Sequence, residues 1–243
     1  MNPGVILALF GALILTPDTL LMRLSELTGG QMVAWRATQA GSIFFLIGLI
    51  PFILSRSGVK PKIWCKSFAA LVVVQMANVF CFAYGIYLAP VAIVLIAVAT
   101  VPVFSIILGA VVLKEAVDIR TWAIVLIVFF GVTLSVIGDI KSYDLFNLSS
   151  VLGGLCGLVV AFSLACSFVI IRKNKEVAFP LALGTGGILC GILAFYFWPS
   201  AFEISSNSLF YISITGLIIL PTSFILLSRA ARMTPASNVS IIM

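Results

Sequence analysis

Two ionisable side chains, Asp18 and Arg36, lie inside long apolar runs of the sequence. A charge within a bilayer is costly, so such a residue is by default a candidate for binding or ion coupling. Asp18 follows Pro17, which lacks an N–H and is expected to kink its helix. Arg36 lies at a similar depth in the next run, so a hairpin would allow an ion pair. Two interpretations stay open: a structural pair near the interface, or direct binding of substrate or a proton.

A polar stripe runs along a later apolar segment at the spacing of one helix face. It comprises Gln75, Asn78, Phe82 and Gly85, which are three or four residues apart. The two amides are candidates for lining a cavity and fixing the orientation of a solute. Ser223 aligns with Asn78 at an offset of 145 residues and joins them as a candidate. The alternative for all three is hydrogen bonding to neighbouring helices.

Tyr84 lies near the end of the same segment. An aromatic residue there is either an interfacial anchor or a group on which a ligand stacks. Catalytic and metal-binding residues are not expected, because the sequence has no histidine and no paired carboxylates within its apolar runs. A nucleophile motif such as G-x-S-x-G is missing too. We therefore predict a protein that is not an enzyme and needs no cofactor.

The composition indicates a membrane protein. Hydrophobic residues make up 62% of the 243 positions and charged residues 9%, whereas a soluble domain has about 25% charged residues. The apolar runs approach or exceed the roughly 20 residues that a helix needs to cross a bilayer. They do not alternate in polarity, which argues against barrel strands. The sequence predicts eight helical spans: Pro3–Met22, Met32–Leu54, Ser67–Leu88, Val91–Leu113, Trp122–Gly138, Val151–Ile171, Phe179–Pro199 and Leu209–Ser228.

The basic residues predict the orientation of these spans. Eleven Lys and Arg residues fall in loops after the even-numbered spans, against two in the other loops. By the positive-inside rule, this places the N-terminus in the cytoplasm of a multi-pass protein of the cytoplasmic, or inner, membrane. The net charge of +6 is thus explained by topology. Binding of nucleic acid is not expected, because no basic face exists outside the short loops.

The chain also repeats itself. Tyr84–Ala97 and Arg229–Ile242 both place a proline, Pro90 and Pro235, at the turn between two apolar segments. The sequence therefore predicts two five-helix units, residues 1–140 and 150–243. An odd number of spans inverts the second unit relative to the first, as in many secondary transporters. The second unit is expected to be incomplete, with about three helices and the start of a fourth; a genuine eight-span protein is the alternative.

Several short motifs resemble one family, the EamA type of the drug/metabolite transporter superfamily. The resemblance implies ten spans, two cytoplasmic termini and a central substrate cavity between the halves. The motifs are the link Tyr84-Gly-Ile-Tyr-Leu-Ala-Pro90, Val101-Pro102-Val103-Phe104, Leu113-Lys114-Glu115, the helix Trp122–Gly131, Arg36 early in the second span, and Arg232-Met-Thr-Pro235-Ala-Ser.

These observations predict a polytopic all-α bundle that moves a small metabolite or drug-like solute by alternating access. The chain has no nucleotide-binding motif, so active transport would need an ion gradient, with Asp18 as the best candidate proton carrier. Facilitated diffusion stays open. The alternative function is a channel or a non-transporting structural subunit. The expected partners are the solute and membrane lipid, and the oligomeric state is open, a homodimer being one alternative.

Overall fold

A computed structural model describes residues 3–54, 62–63, 65–114, 122–123, 125–127, 129–130, 147–174 and 176–233. These residues form helices and no strand. Seven of the helices are long and apolar enough to cross a membrane. They are α1 (Pro3–Leu24), α2 (Gly29–Leu54), α3 (Lys66–Leu88), α4 (Val91–Leu113), α5 (Leu148–Lys173), α6 (Phe179–Phe197) and α7 (Ser206–Met233).

The seven helices confirm the predicted spans one to four and six to eight, with ends shifted by a few residues. The predicted fifth span, Trp122–Gly138, lies mostly outside the described residues, and its described positions up to residue 130 are helical. The all-helical class and the multi-pass character are therefore confirmed.

Helix α1 is broken in the middle, as the sequence predicts. Its first part ends at Leu15 and its second part begins at Asp18. Pro17 has no N–H to donate to the carbonyl of Leu13. That carbonyl accepts the hydroxyl of Thr16 instead, at 2.7 Å. The break therefore places Asp18 at the start of a new helical segment.

Helices α4 and α7 are irregular as well. In α4, the α-helical segments Val91–Val98 and Val101–Leu108 are separated just before Pro102, which cannot donate to the carbonyl of Val98. In α7, the residues Ile214–Ile219 form a π-helical segment between two α-helical ones. A π turn contains one residue more than an α turn, so it rotates the residues that follow it.

Helices α2 and α6 approach each other most closely, and glycines make this possible. A Cβ atom on Gly187 would stand 2.8 Å from the Cα of Gly41, and one on Gly48 would stand 2.5 Å from the backbone N of Leu181. Small residues let membrane helices pack backbone against backbone. In the same way α1 packs on α7, and α5 packs on both α3 and α4.

The loops meet at two opposite ends of the bundle. At one end, the N–H of Lys62 donates to the carbonyl of Glu176 at 3.0 Å, which joins the α2–α3 and α5–α6 loops. Arg232 near the end of α7 donates to the carbonyl of Val177 at 3.5 Å. All three segments belong to the side for which the sequence predicts positive charge.

The opposite end collects the other set of loops. Arg23, in the last turn of α1, donates to the carbonyl of Ala89 in the α3–α4 link at 2.5 Å. Trp35 near the start of α2 donates through Nε1 to the carbonyl of Ala201, which follows α6, at 2.8 Å. The loops therefore alternate between the two ends as the spacing of Lys and Arg predicts.

Candidate functional site

A cavity of about 290 Å³ lies inside the bundle. Each of the seven helices contributes to its wall. Most of the lining is apolar, which is typical of a site that binds a small molecule through a few placed polar groups. The polar side chains in the wall are Thr16, Asp18, Thr19, Arg36, Gln75 and Asn78.

The predicted ion pair forms at this wall. Arg36 donates through Nη2 to Oδ2 of Asp18 at 2.5 Å. Only 1% of Asp18 and 3% of Arg36 is exposed. Asp18 lies in the first turn of the helical segment that restarts after Pro17, where free N–H groups favour a negative charge. The kink in α1 therefore fixes the carboxylate at the depth of Arg36.

Phe82 gives the Arg36 guanidinium a second contact. The guanidinium carbon lies 5.0 Å from the centre of the Phe82 ring, a distance at which the ring face attracts a cation. Phe82 also lines the cavity. The arginine is therefore held between a carboxylate on α1 and an aromatic ring on α3.

The ion pair has unused hydrogen-bonding capacity. Among the described residues, Oδ1 of Asp18 and Nε of Arg36 are buried and have no hydrogen-bond partner. Buried polar atoms are normally paired, and each orphan costs about 1–3 kcal/mol. One atom is an acceptor and the other a donor, so a solute or a water with both functions would satisfy them together.

Gln75 and Asn78 lie one helical turn apart in α3, and both line the cavity. They are nearly buried, with 6% and 7% of each residue exposed. Together with Phe82 they occupy one face of α3, as the spacing of the stripe predicts. The structure thus brings four of the six candidate residues to one cavity: Asp18, Arg36, Gln75 and Asn78.

Tyr84 lies apart from that wall, in an aromatic cluster near the end of the bundle. Its ring stacks on Phe80 at a centroid distance of 5.4 Å and lies 6.1 Å from the ring of Trp198. The ring of Tyr87 is 6.0 Å away. Tyr84 therefore contacts other aromatic residues and does not line the cavity.

Ser223 is also placed apart from the cavity wall. Its buried hydroxyl donates to the carbonyl of Gly11 at 2.9 Å and so links α7 to α1. Its neighbour Phe224 lines the cavity. The offset of 145 residues therefore leads to a residue that contacts α1 and does not line the cavity.

The sequence interpretation missed most of the apolar lining and two hydroxyls; the missed residues include Thr16, Thr19, Phe44 and Phe224. Phe44 was detectable, because it lies two helical turns after Arg36 on the same face of α2. Thr16 and Thr19 flank the break in α1 and share the depth of Asp18. In the part of the chain that the structure describes, no group of three or more His, Cys, Asp or Glu residues is arranged to hold a metal ion.

Comparison with known families agrees with this architecture. A sequence model described as the EamA-like transporter family matches residues 2–137, more than half of the chain. The chain therefore belongs to the EamA-like transporter family, within the drug/metabolite transporter superfamily. With its apolar helices, it is a multi-pass membrane protein of a transporter type. The comparison with curated proteins gave no match.

Proposed function

We propose that this chain carries a small solute across the cytoplasmic membrane by alternating access, and that the Asp18–Arg36 pair binds the solute in the central cavity. One observation carries the proposal: a buried acceptor and a buried donor, both without partners among the described residues, belong to one ion pair on the cavity wall. A purely structural pair would be expected to satisfy these atoms itself.

The dimensions and chemistry of the cavity restrict the class of solute. Its volume of about 290 Å³ is at the lower end of the range for small-molecule sites, roughly 300–1,000 Å³. The solute therefore has a compact apolar body that faces Phe44, Phe82 and Phe224. It offers a donor to Oδ1 of Asp18 and an acceptor to Nε of Arg36, and the Gln75 and Asn78 amides orient its remaining polar groups.

Proton coupling follows from the charge balance of the pair. Protonation of Asp18 alone would leave Arg36 as an unpaired buried charge, which costs several kcal/mol. An anionic group of the solute on Arg36 would remove that cost. We therefore propose that one proton, carried by Asp18, and an anionic group of the solute bind to the cavity together.

The proposed architecture is a five-helix unit in residues 1–140 and a second, inverted unit in residues 150–243, with a cytoplasmic N-terminus. The alternation of loops between two ends supports this, because the two links after α1 and α3 lie opposite the loops at Lys62 and Glu176. The excess of Lys and Arg in the second set supports its cytoplasmic location.

The test is solute binding and transport by the purified full chain. Thermal stabilisation would be screened against a metabolite panel, and each hit assayed for uptake in proteoliposomes with and without a pH gradient. Wild type would be compared with Asp18→Asn, Arg36→Lys and, as a matched control away from the cavity, Ser223→Ala.

We expect saturable binding of a solute whose apparent affinity falls at least about tenfold in Arg36→Lys and stays unchanged in Ser223→Ala, since one charged hydrogen bond contributes about 1.5–3 kcal/mol. Asp18→Asn resembles the protonated carboxyl, so it should keep its affinity for the solute. Asp18→Asn should also abolish the response to the pH gradient. Equal binding by all variants would contradict the proposed site, and non-saturating flux would favour a channel.

A further inference from the structure

Two adjoining pockets lie at the Lys62–Glu176 end of the bundle, where α3 begins and α5 ends. The first, the cationic pocket, has a volume of about 510 Å³. The second, the apolar pocket, has a volume of about 580 Å³. Cys65 lines both. The cationic pocket is otherwise lined mainly by Lys62, Ser67, Arg172, Lys173 and Asn174, and the apolar pocket mainly by Ile63, Phe68, Ala69 and Leu181.

The cationic pocket has a fixed frame, because two loops are joined across it. The backbone of Lys62 pairs with Glu176 at 3.0 Å and with Ala178 at 3.3 Å. Asn174 donates through Nδ2 to Oγ of Ser67 at 2.8 Å, which connects the end of α5 to the start of α3. Hydrogen bonds therefore hold the walls of the pocket together, although the walls come from two distant parts of the chain.

Cations outnumber carboxylates among the described residues that line the two pockets. Three cations line the cationic pocket, and Lys66 lines the neighbouring apolar pocket. The carboxylate among these lining residues belongs to Glu176, which pairs with Lys62 at 2.7 Å. Arg172, Lys173 and Lys66 therefore leave the lining with an excess of positive charge. An anion would therefore be attracted to the pocket.

The start of α3 adds to this attraction. The helix begins at Lys66, and the side chain of the preceding Cys65 makes no capping hydrogen bond. The first N–H groups of a helix favour a negative charge near them. Ser67, in the first turn of α3, lines the same pocket as the cationic side chains.

We propose that these two pockets together bind one anionic phospholipid, with its phosphate in the cationic pocket and an acyl chain in the apolar pocket. The adjoining apolar pocket favours a lipid over a soluble phosphate, because a phosphate has no apolar group that could contact Phe68 and Leu181. The location fits too, because the pockets lie at the ends of membrane-spanning helices, where lipid headgroups are expected. This proposal does not depend on the function of the central cavity.

The test measures lipid binding to the purified full chain in non-ionic detergent, by native mass spectrometry and by thermal stability. The ligands are dioleoyl phosphatidylglycerol, dioleoyl phosphatidylcholine and glycerol 3-phosphate. We expect phosphatidylglycerol to bind and stabilise at concentrations where the other two do not. Equal effects of glycerol 3-phosphate would overturn the proposal in favour of a soluble-anion site. Equal effects of phosphatidylcholine would show that the cations are not used.

Variants locate the site. Lys173→Gln removes one cation and Ala69→Phe fills the apolar pocket; both residues are exposed, so the fold should tolerate the changes. Arg229→Gln is the matched control, since Arg229 is exposed near the end of α7 and lines neither pocket. Lys173→Gln should weaken binding of phosphatidylglycerol about fivefold, as expected for one charge near a membrane surface. Wild-type affinity in both pocket variants would refute the assignment.

Discussion

Arg36 and Asp18 are joined by a hydrogen bond of 2.5 Å, and both side chains are withdrawn from solvent. Lys62 and Glu176 make a contact of similar length, 2.7 Å, with about 70% of each side chain exposed. The two pairs share a geometry but differ in the cost of breaking them. An exposed partner that is left alone is hydrated by water, whereas a buried one is not.

Breaking the buried pair should therefore be costly. We expect Asp18→Ala to destabilise the protein by about 3–5 kcal/mol, because it leaves the Arg36 guanidinium as an uncompensated buried charge. The double variant Asp18→Asn with Arg36→Gln should be more stable than Asp18→Ala, since no charge is left. Thermal unfolding in detergent checks both. Lys62→Gln is the control, and an equally large loss there would show that burial is not the cause.

The polar candidates should separate into cavity residues and packing residues. Asn78→Leu keeps the size of the side chain but removes its amide from the cavity wall, so we expect about tenfold weaker solute binding. Ser223→Ala removes the hydrogen bond to Gly11 and should cost about 0.6 kcal/mol of stability with no change in solute affinity. Solute-induced shifts in unfolding temperature measure both effects. A loss of affinity in Ser223→Ala would contradict this division.

The aromatic cluster should tolerate loss of a hydroxyl but not of a ring. Tyr84→Phe keeps the stack on Phe80 and the contact with Trp198, and we expect stability close to wild type. Tyr84→Ala removes the ring and should cost about 2–3 kcal/mol, less than for a fully buried aromatic residue. Thermal unfolding of the two variants and of wild type measures both changes in stability. Strong effects of Tyr84→Phe on solute binding would instead favour a ligand-stacking role.

The glycines should differ in their tolerance of alanine. A Cβ atom on Gly184 would overlap the backbone of Phe45, which cannot move away without separating α2 and α6. We expect Gly184→Ala to cost about 1–3 kcal/mol through overpacking. Gly154 is the matched control, because its new Cβ would lie 3.5 Å from a methyl group of Ile93, an ordinary contact. Gly154→Ala should be neutral or slightly stabilising, since alanine favours a helix. Similar losses in both variants would contradict this account.

Sequence reasoning worked best where one residue dictates its own local structure. Pro17 and Pro102 each remove a backbone donor, so the helix breaks beside them were predictable. Asp18 and Arg36 were predictable as a pair because each would be unstable alone at that depth. Ser223 was chosen by its offset from Asn78, and an offset in sequence does not say which neighbouring helix a side chain meets. Its hydroxyl bonds to Gly11 of α1 and does not line the cavity.

The two pockets at the bundle end were beyond prediction for another reason. Their walls combine residues near Lys62 with residues near Lys173, which are far apart in the chain. The joining contacts, such as Asn174 to Ser67, have no periodic signal in the sequence. Only the tertiary arrangement reveals that a cationic and an apolar surface adjoin.

The glycine contact between α2 and α6 has a mechanical consequence. These helices belong to different predicted repeats, yet no side chains separate their backbones at Gly41 and Gly187. Two helices in such contact should move together, since separating them would lose their close van der Waals packing. The rigid parts that move against each other during transport would then not coincide with the two repeats of the sequence. The dividing surface has to pass elsewhere, leaving α2 and α6 on the same side of it.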